Sequence, residues 1–232
     1  MITLGILSWG DNKTLINTLD RLTKVDLWPY IESAYIFFQE MTENDRAIAK
    51  HFGLRYMGTS RNIGISEGYS ILVNSATEDK FLFLESDWAA IRPASFVIPS
   101  AENLLDEHGV DLVKLRHRQT PGNPLWTLQF KDNEYQRPTH LLDCVHWHDT
   151  PDVFPEINKF RDWYLTTSKN GNWTLNPTLA RTEFLRKTIL PRIAQSGEIR
   201  ARGTERDLQP WWETQNFIVA QGEGIFTHHR IG

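Results

Sequence analysis

The sequence predicts an α/β protein with a mainly parallel central sheet flanked by helices and a less regular second half. Three observations carry this. Short apolar runs alternate with amphipathic stretches of ten or so residues over positions 1–90. Capping residues open several of those stretches. Polar residues gather just beyond each apolar run, at the edge where parallel sheets bind ligands. The 232 residues are 40% hydrophobic, enough for one substantial core. No repeat, low-complexity segment or linker divides them, so a single domain over 1–232 is expected, with halves at 1–90 and 91–232.

The elements follow in order. Ile2 to Leu7 reads as a buried strand, and Asp11 or Asn12 is placed to cap a helix over 13–22 whose Leu15, Ile16, Leu19 and Leu22 share one face. Ala34 to Phe38 is the second strand. Thr42, with Asp45 three residues on, resembles a capping box opening a helix to about His51. Leu54–Met57 is a short third strand. After the loop Gly58–Gly64, a helix carries Ile65, Tyr69, Leu72, Val73 and Ala76 at helical spacing. Strand Lys80–Leu84 closes this half, and right-handed crossovers make the set parallel. Beyond it come a helix near 100–108 and a strand Asp111–Leu115. Residues 118–140 read as loops and short strands covering one face, and helices over about 181–195 and 206–219 are expected to pack back on the sheet.

Composition narrows the function. A formal charge of −4 gives no basic surface for nucleic acid, and the arginines within 181–206 read first as a solvated helix face. The single cysteine, Cys144, sits in the apolar run 141–145, excludes an internal disulfide and fits a reducing compartment. No apolar run approaches the ~18 residues of a membrane span, and no basic-then-apolar leader opens the chain. The expectation is a soluble cytoplasmic protein without a transmembrane segment. Nine tryptophans are many for this length; such rings pack in cores and also stack on sugars and bases.

Four clusters could carry chemistry. Phe81-Leu-Phe-Leu-Glu-Ser-Asp-Trp88 runs a buried strand into two carboxylates, Glu85 and Asp87. Acids at a sheet edge suit Mg²⁺ or Mn²⁺, which take oxygen ligands and add phosphate oxygens; a solvated strand end is the plainer reading. Gly58-Thr-Ser-Arg-Asn-Ile-Gly64 could bring backbone N–H groups and Arg61 to a phosphate, or be an ordinary loop. Gly203-Thr-Glu205-Arg-Asp207 puts acids at a helix start, as caps or as a general base, with His228-His229 further on as a tail or as metal ligands. His146-x-His148-Asp149 lacks further ligands at closed zinc-site spacing and reads as a pocket wall.

The order of these pieces resembles the nucleotide-sugar-dependent glycosyltransferases of the GT-A (Rossmann-like) fold, especially the large family 2 type. "ITLGILSWGDNKTLINTLDRL" is similar to that family's first strand and helix. "SRNIGISEGYSILVNSATEDKFLFLESDW" resembles its central signature, where an Asn-x-Gly loop leads to a helix and a buried strand ending in Asp-x-Asp. "PTLARTEFLRK" is similar to its acceptor-side segment. "GTERDLQPWWETQNFIVAQGEGIFTHHRIG" resembles its closing segment, an acidic motif opening a helix with a histidine some two dozen residues on. Here Glu85 replaces the first Asp of the metal motif, and Arg206 stands where a second acid is frequent.

The resemblance implies a nucleotide-sugar half at 1–90 and an acceptor half at 91–232. Ser8 and Trp9 would border the nucleotide, Glu40 the base edge, and Arg61 and Asn62 the ribose or phosphates. Asp87 would bind Mn²⁺ or Mg²⁺, with Glu85 and Ser86 beside it and His228 or His229 completing the site. Glu205 or Asp207 would be the base, and Trp211 or Trp212 an acceptor platform. The implied partners are a nucleoside-diphosphate sugar, UDP-linked first, and a saccharide or glycoconjugate hydroxyl, joined in an inverting transfer. Two alternatives stand beside it. One is a sugar nucleotidyltransferase, whose Gly-rich loop after the first strand is reduced here to Gly10. The other is a non-catalytic carbohydrate-binding scaffold.

Overall fold

The computed structural model describes residues 1–117, 130–131, 134–135, 156–195 and 204–228. In chain order the elements are β1 (Ile2–Trp9), α1 (Asn12–Lys24), β2 (Ile31–Gln39), α2 (Glu43–His51), β3 (Arg55–Gly58), α3 (Ile65–Ser75), β4 (Lys80–Glu85), β5 (Trp88–Ala90), α4 (Ile98–Glu107) and β6 (Leu112–Arg116). There follow a two-strand hairpin of β7 (Phe130–Lys131) and β8 (Glu134–Tyr135), then β9 (Asn158–Phe160), β10 (Trp163–Thr167) and β11 (Thr178–Arg181). A helix over 182–195, α5, has a π-helical segment at Leu185–Ile189; α6 (Thr204–Trp212) and β12 (Ile218–His228) complete the set.

Among the described residues one sheet has ten strands, in the order β3-β2-β1-β4-β11-β6-β12-β10-β9, with β5 added on β12. The first four are parallel. β11 enters antiparallel between β4 and β6, and β12 runs parallel to β6. Strands buried on both faces must be apolar throughout, and β4 shows this: Leu82 and Leu84 face one core, Phe81 and Phe83 the other. Leu15, Leu19 and Leu22 of α1 and Ile98, Ala101 and Leu104 of α4 fill the first core. Tyr69, Leu72 and Val73 of α3, Leu185 and Ile189 of α5, and Leu208 of α6 fill the second. The result is three layers, helix on sheet on helix.

The helix starts are where the caps place them. Asp11 caps α1, accepting from Lys13 and Thr14 N–H groups, and Thr42 with Asp45 forms a full capping box on α2. Ile16, expected in the core, is exposed on α1. The helix expected over 206–219 ends at Trp212 instead, and the chain turns into β12. A short apolar run such as 217–220 fits either state, and burial of Val219 and Ala220 between β6 and β10 decides for strand. Cys144, His146, His148, Asp149 and His229 lie outside the described residues. No helix among the described residues is long and apolar enough to cross a membrane.

The amino-terminal edge of the sheet is held by charge. Lys80, 4% exposed, sits 3.0 Å from Asp106 and 3.1 Å from Asp79. Burial works against its charge, but these two carboxylates more than offset it and raise its pKa above the ordinary value.

β12 pairs with β6 and β10 along its first part and reaches β5 with its last because it bends. Val219–Gln221 pair with β6, a register shift intervenes, and Phe226–His228 pair with β5. The bend is made at Gly224, which has φ +67 and lies so close to β6 that a Cβ there would stand 2.5 Å from the carbonyl oxygens of Leu115 and Arg116. Gly224→Ala therefore meets both a left-handed backbone penalty, about 1–2 kcal/mol, and overpacking against main chain, about 1–3 kcal/mol. A loss of about 2–5 kcal/mol in urea unfolding is the expected result.

Candidate functional site

The parallel strands end together. Trp9 pairs with Gln39, Phe38 with Gly58 and Leu7 with Glu85, so β1, β2, β3 and β4 present their carboxyl ends along one edge. This edge is where α/β sheets bind ligands.

At the β1–β2 end, Ser8 is buried and Trp9 is 62% exposed. The Trp9 indole N–H donates to Glu40 Oε2 at 2.8 Å. Glu40 has φ +55, which turns the chain out of β2. A large aromatic face is thus held at the surface by its polar end, with a carboxylate beside it. Next to it runs the loop 58–64. Asn62 Oδ1 accepts from Gly64 N–H at 2.8 Å and Thr59 Oγ1 donates to the Arg61 carbonyl at 2.7 Å. The loop is anchored by Gln39, whose Oε1 accepts from Ile63 N–H and whose Nε2 donates to the Gly64 carbonyl, both at 2.8 Å. Arg61 and Asn62 are exposed along this stretch.

At the β4 end, Glu85, Ser86 and Asp87 are half-buried. Ser86 is fixed by its backbone: its N–H donates to the Leu7 carbonyl at 2.9 Å, and its carbonyl accepts from Thr18 Oγ1 at 2.7 Å. The chain turns there, so Glu85 stays on β4 while Asp87 is carried to the start of β5. Strand pairing of His228 with Trp88 brings the expected histidine back across the fold, and His228 Nε2 lies 2.9 Å from Asp87 Oδ2. The imidazole packs edge-on to Trp88, ring centres 5.2 Å apart, and the Arg116 guanidinium lies 5.6 Å from a Trp88 ring centre.

Asp87 Oδ1 is buried without a hydrogen-bond partner. An orphan of this kind costs about 1–3 kcal/mol, more when charged, and a cation removes the cost. The 2.9 Å between His228 Nε2 and Asp87 Oδ2 is that of a direct ion pair, and it is also close to the ~3 Å between two ligands at right angles on a Mg²⁺-sized ion. The carboxylate suits Mn²⁺ or Mg²⁺, and of the two the softer Mn²⁺ accepts an imidazole more readily. Among the described residues no cluster of three or more His, Cys, Asp or Glu forms. A cation here would draw its other ligands from phosphate oxygens and water, as Mg²⁺ commonly does.

In the second half of the chain, α6 is stitched to the segment 171–175. Glu205 Oε1 accepts from Thr174 Oγ1 and Leu175 N–H, both at 2.7 Å. Gln209 Oε1 accepts from Trp173 N–H at 2.9 Å, and Trp212 Nε1 donates to the Gly171 carbonyl at 2.6 Å. These three residues lie on one helical stripe. The Glu205 side chain stays exposed, whereas Asp207 is half-buried. Trp212 is wholly buried, tilted against Trp173 with ring centres 5.2 Å apart, so it has no face for a saccharide and belongs to the core. Trp211 is half-buried, with Arg192 stacked 5.1 Å from a ring centre.

Sequence reasoning missed Thr18, Gln39 as an anchor, Arg116, and Thr174 with Gln209 as the partners of α6. Only Gln39, at a strand end beside an expected site residue, offered a signal.

No family model matches the sequence, and comparison with curated protein sequences finds no match. Solved structures do match. Glucosyl-3-phosphoglycerate synthase from Mycobacterium tuberculosis, in complex with Mn²⁺, UDP and glucosyl-3-phosphoglycerate, superposes with TM-score 0.54 at 14% identity, over 98% of this chain and 71% of that one. TarS from S. aureus gives 0.60 at 14% identity, over 97% of this chain and 36% of that one. A mannosyltransferase from Pyrobaculum calidifontis, bound to GDP-mannose and Mn²⁺, gives 0.59 at 9% identity, over 94% and 53%. The chain thus spans only about a third to a half of the last two. At these identities the likeness speaks to architecture alone: this chain has the GT-A fold of nucleotide-sugar glycosyltransferases.

Proposed function

We propose that the protein is a metal-dependent glycosyltransferase, working as a single domain. It would move a sugar from a nucleoside-diphosphate sugar, UDP-linked first, to a saccharide or glycoconjugate hydroxyl. The observation that carries this is the Asp87–His228 pair, with its orphaned buried carboxylate oxygen, at the carboxyl edge of a GT-A sheet.

In this reading the exposed face of Trp9 stacks on the base and Glu40 accepts from a base N–H, with Ser8 lining the floor. Arg61 and Asn62 meet ribose and phosphates, and Glu85 and Ser86 border the donor sugar. Asp87 and His228 would hold Mn²⁺ or Mg²⁺, which when bound would neutralise charge building on the departing diphosphate. Glu205 is the better base. One oxygen is fixed by Thr174 and Leu175, which aims the carboxylate and leaves Oε2 for the acceptor proton. The acceptor oxygen bonds to the anomeric carbon as its proton passes to Glu205. The carbon–phosphate-oxygen bond breaks with its electron pair leaving on the diphosphate, and the configuration inverts. Trp211 offers a partly exposed edge to the acceptor.

One observation favours a binding-only scaffold: half of the Glu205 carboxylate is already engaged in holding α6. A thermal-shift panel of UDP-, GDP-, dTDP- and CMP-sugars with and without Mn²⁺, followed by turnover of any stabilising donor, separates the two. A donor at 100 times its Kd stabilises by about 2.7 kcal/mol. A metal-requiring shift with one nucleotide class, then release of free nucleoside diphosphate, is the expected result. A shift without release points to the scaffold, and no shift with any donor rejects both.

A further inference from the structure

From the hydrogen bonds of one buried side chain we infer that Gln39 is a positioning residue that couples the two ends of the nucleotide site. The inference rests on the glycosyltransferase reading and deepens it.

Gln39 is 4% exposed at the end of β2. Its amide meets the loop with both ends, accepting from Ile63 N–H and donating to the Gly64 carbonyl. A donor on one side and an acceptor on the other fix which end is oxygen, so the side chain acts as a short strand pairing with the loop. Room for it is made by Gly68 of α3, where a Cβ would come within 3.2 Å of Gln39 Nε2 and 2.7 Å of the Leu7 side chain. Immediately before the clamped pair are Arg61 and Asn62, and Asn62 is tied to the same Gly64 through its N–H. Immediately after Gln39 is Glu40, which receives the indole N–H of Trp9.

Consecutive residues of one strand end therefore govern the base side, through Glu40 and Trp9, and the phosphate side, through the loop. The turn at Glu40, φ +55, sends its side chain outward while that of Gln39 stays in. A purely structural anchor would have no reason to change affinity for nucleotide beyond its effect on folding. A positioning residue acts through Arg61 and Asn62, and its effect must vanish once they are gone.

The test is calorimetric binding of UDP, and of GDP if UDP fails, with Mn²⁺. It compares wild type, Gln39→Met, Gln39→Glu and the pair Arg61→Ala/Asn62→Ala, alone and combined with Gln39→Met. Gln39→Met keeps the bulk and loses both bonds; Gln39→Glu keeps the acceptor for Ile63 and loses the donor to Gly64. The expected result is a Kd raised at least ten-fold by Gln39→Met and less by Gln39→Glu, with no further loss when Gln39→Met is added to the loop pair. Unchanged Kd in both folded Gln39 variants, or losses that multiply in the combined variant, overturns the coupling. Wild type that binds neither nucleotide overturns the underlying reading instead. If Gln39→Met fails to fold, Gln39→Glu carries the comparison.

Discussion

Asp87→Ala is expected to remove the Mn²⁺-dependent part of nucleotide affinity and to lower turnover at least a thousand-fold, with the fold intact. Asp87 supplies a carboxylate oxygen 2.9 Å from His228 Nε2. Its second oxygen is buried without a partner, so truncation removes one unsatisfied group while giving up the His228 contact. A cation at a departing diphosphate is worth several kcal/mol of transition-state stabilisation, and each 1.36 kcal/mol is a factor of ten in rate. Calorimetric titration of UDP with and without Mn²⁺, beside initial rates, checks it. The wild type should show a metal-dependent difference in affinity and the variant none. Retained metal dependence would remove Asp87 from the site and return the 85–87 turn to a solvated strand end.

Glu205→Gln is the second large effect, of about 10²–10⁴ in kcat, the usual worth of a general base. The substitution is close to isosteric, and its carbonyl oxygen can still accept from Thr174 Oγ1 and Leu175 N–H, so α6 should keep its place. What goes is the ability to take a proton. Donor affinity should hold within about two-fold, because the proposed role of Glu205 is toward the acceptor. Asp207→Asn is the control. If it abolishes turnover while Glu205→Gln does not, the base assignment passes to Asp207.

How much of this was legible in the sequence follows from what each signal depends on. The first four strands and their helices were readable because local patterning and caps decide them: Asp11, Thr42 and Asp45 act within four residues of themselves. Glu85, Asp87, Glu40 and Arg61 were placed on the right edge because parallel strands must end together. In the second half α4, β6 and α5 lie close to the expected 100–108, 111–115 and 181–195, but the other strands were not readable, since distant partners decide them. β11 is a four-residue strand inserted against β4 and β6. The apolar start of β12 looked helical until the sheet took it up. Trp212 shows the same limit: an aromatic beside an acidic motif cannot be sorted into core or platform without knowing what covers it. That His228 meets Asp87 required the bend at Gly224, a three-dimensional fact.

That bend also sets an order of assembly. β12 follows every other described element along the chain, yet lies inside the sheet between β6 and β10 and delivers the partner of Asp87. A chain folded only as far as β6 would present the edge with its carboxylates and the Trp9 face, but no histidine beside Asp87. Pairings between segments so remote in sequence are slow to form because the loop must close before any contact rewards it. The Asp87–His228 contact therefore closes later than the pairings among β1 to β4, whose partners lie nearer in sequence.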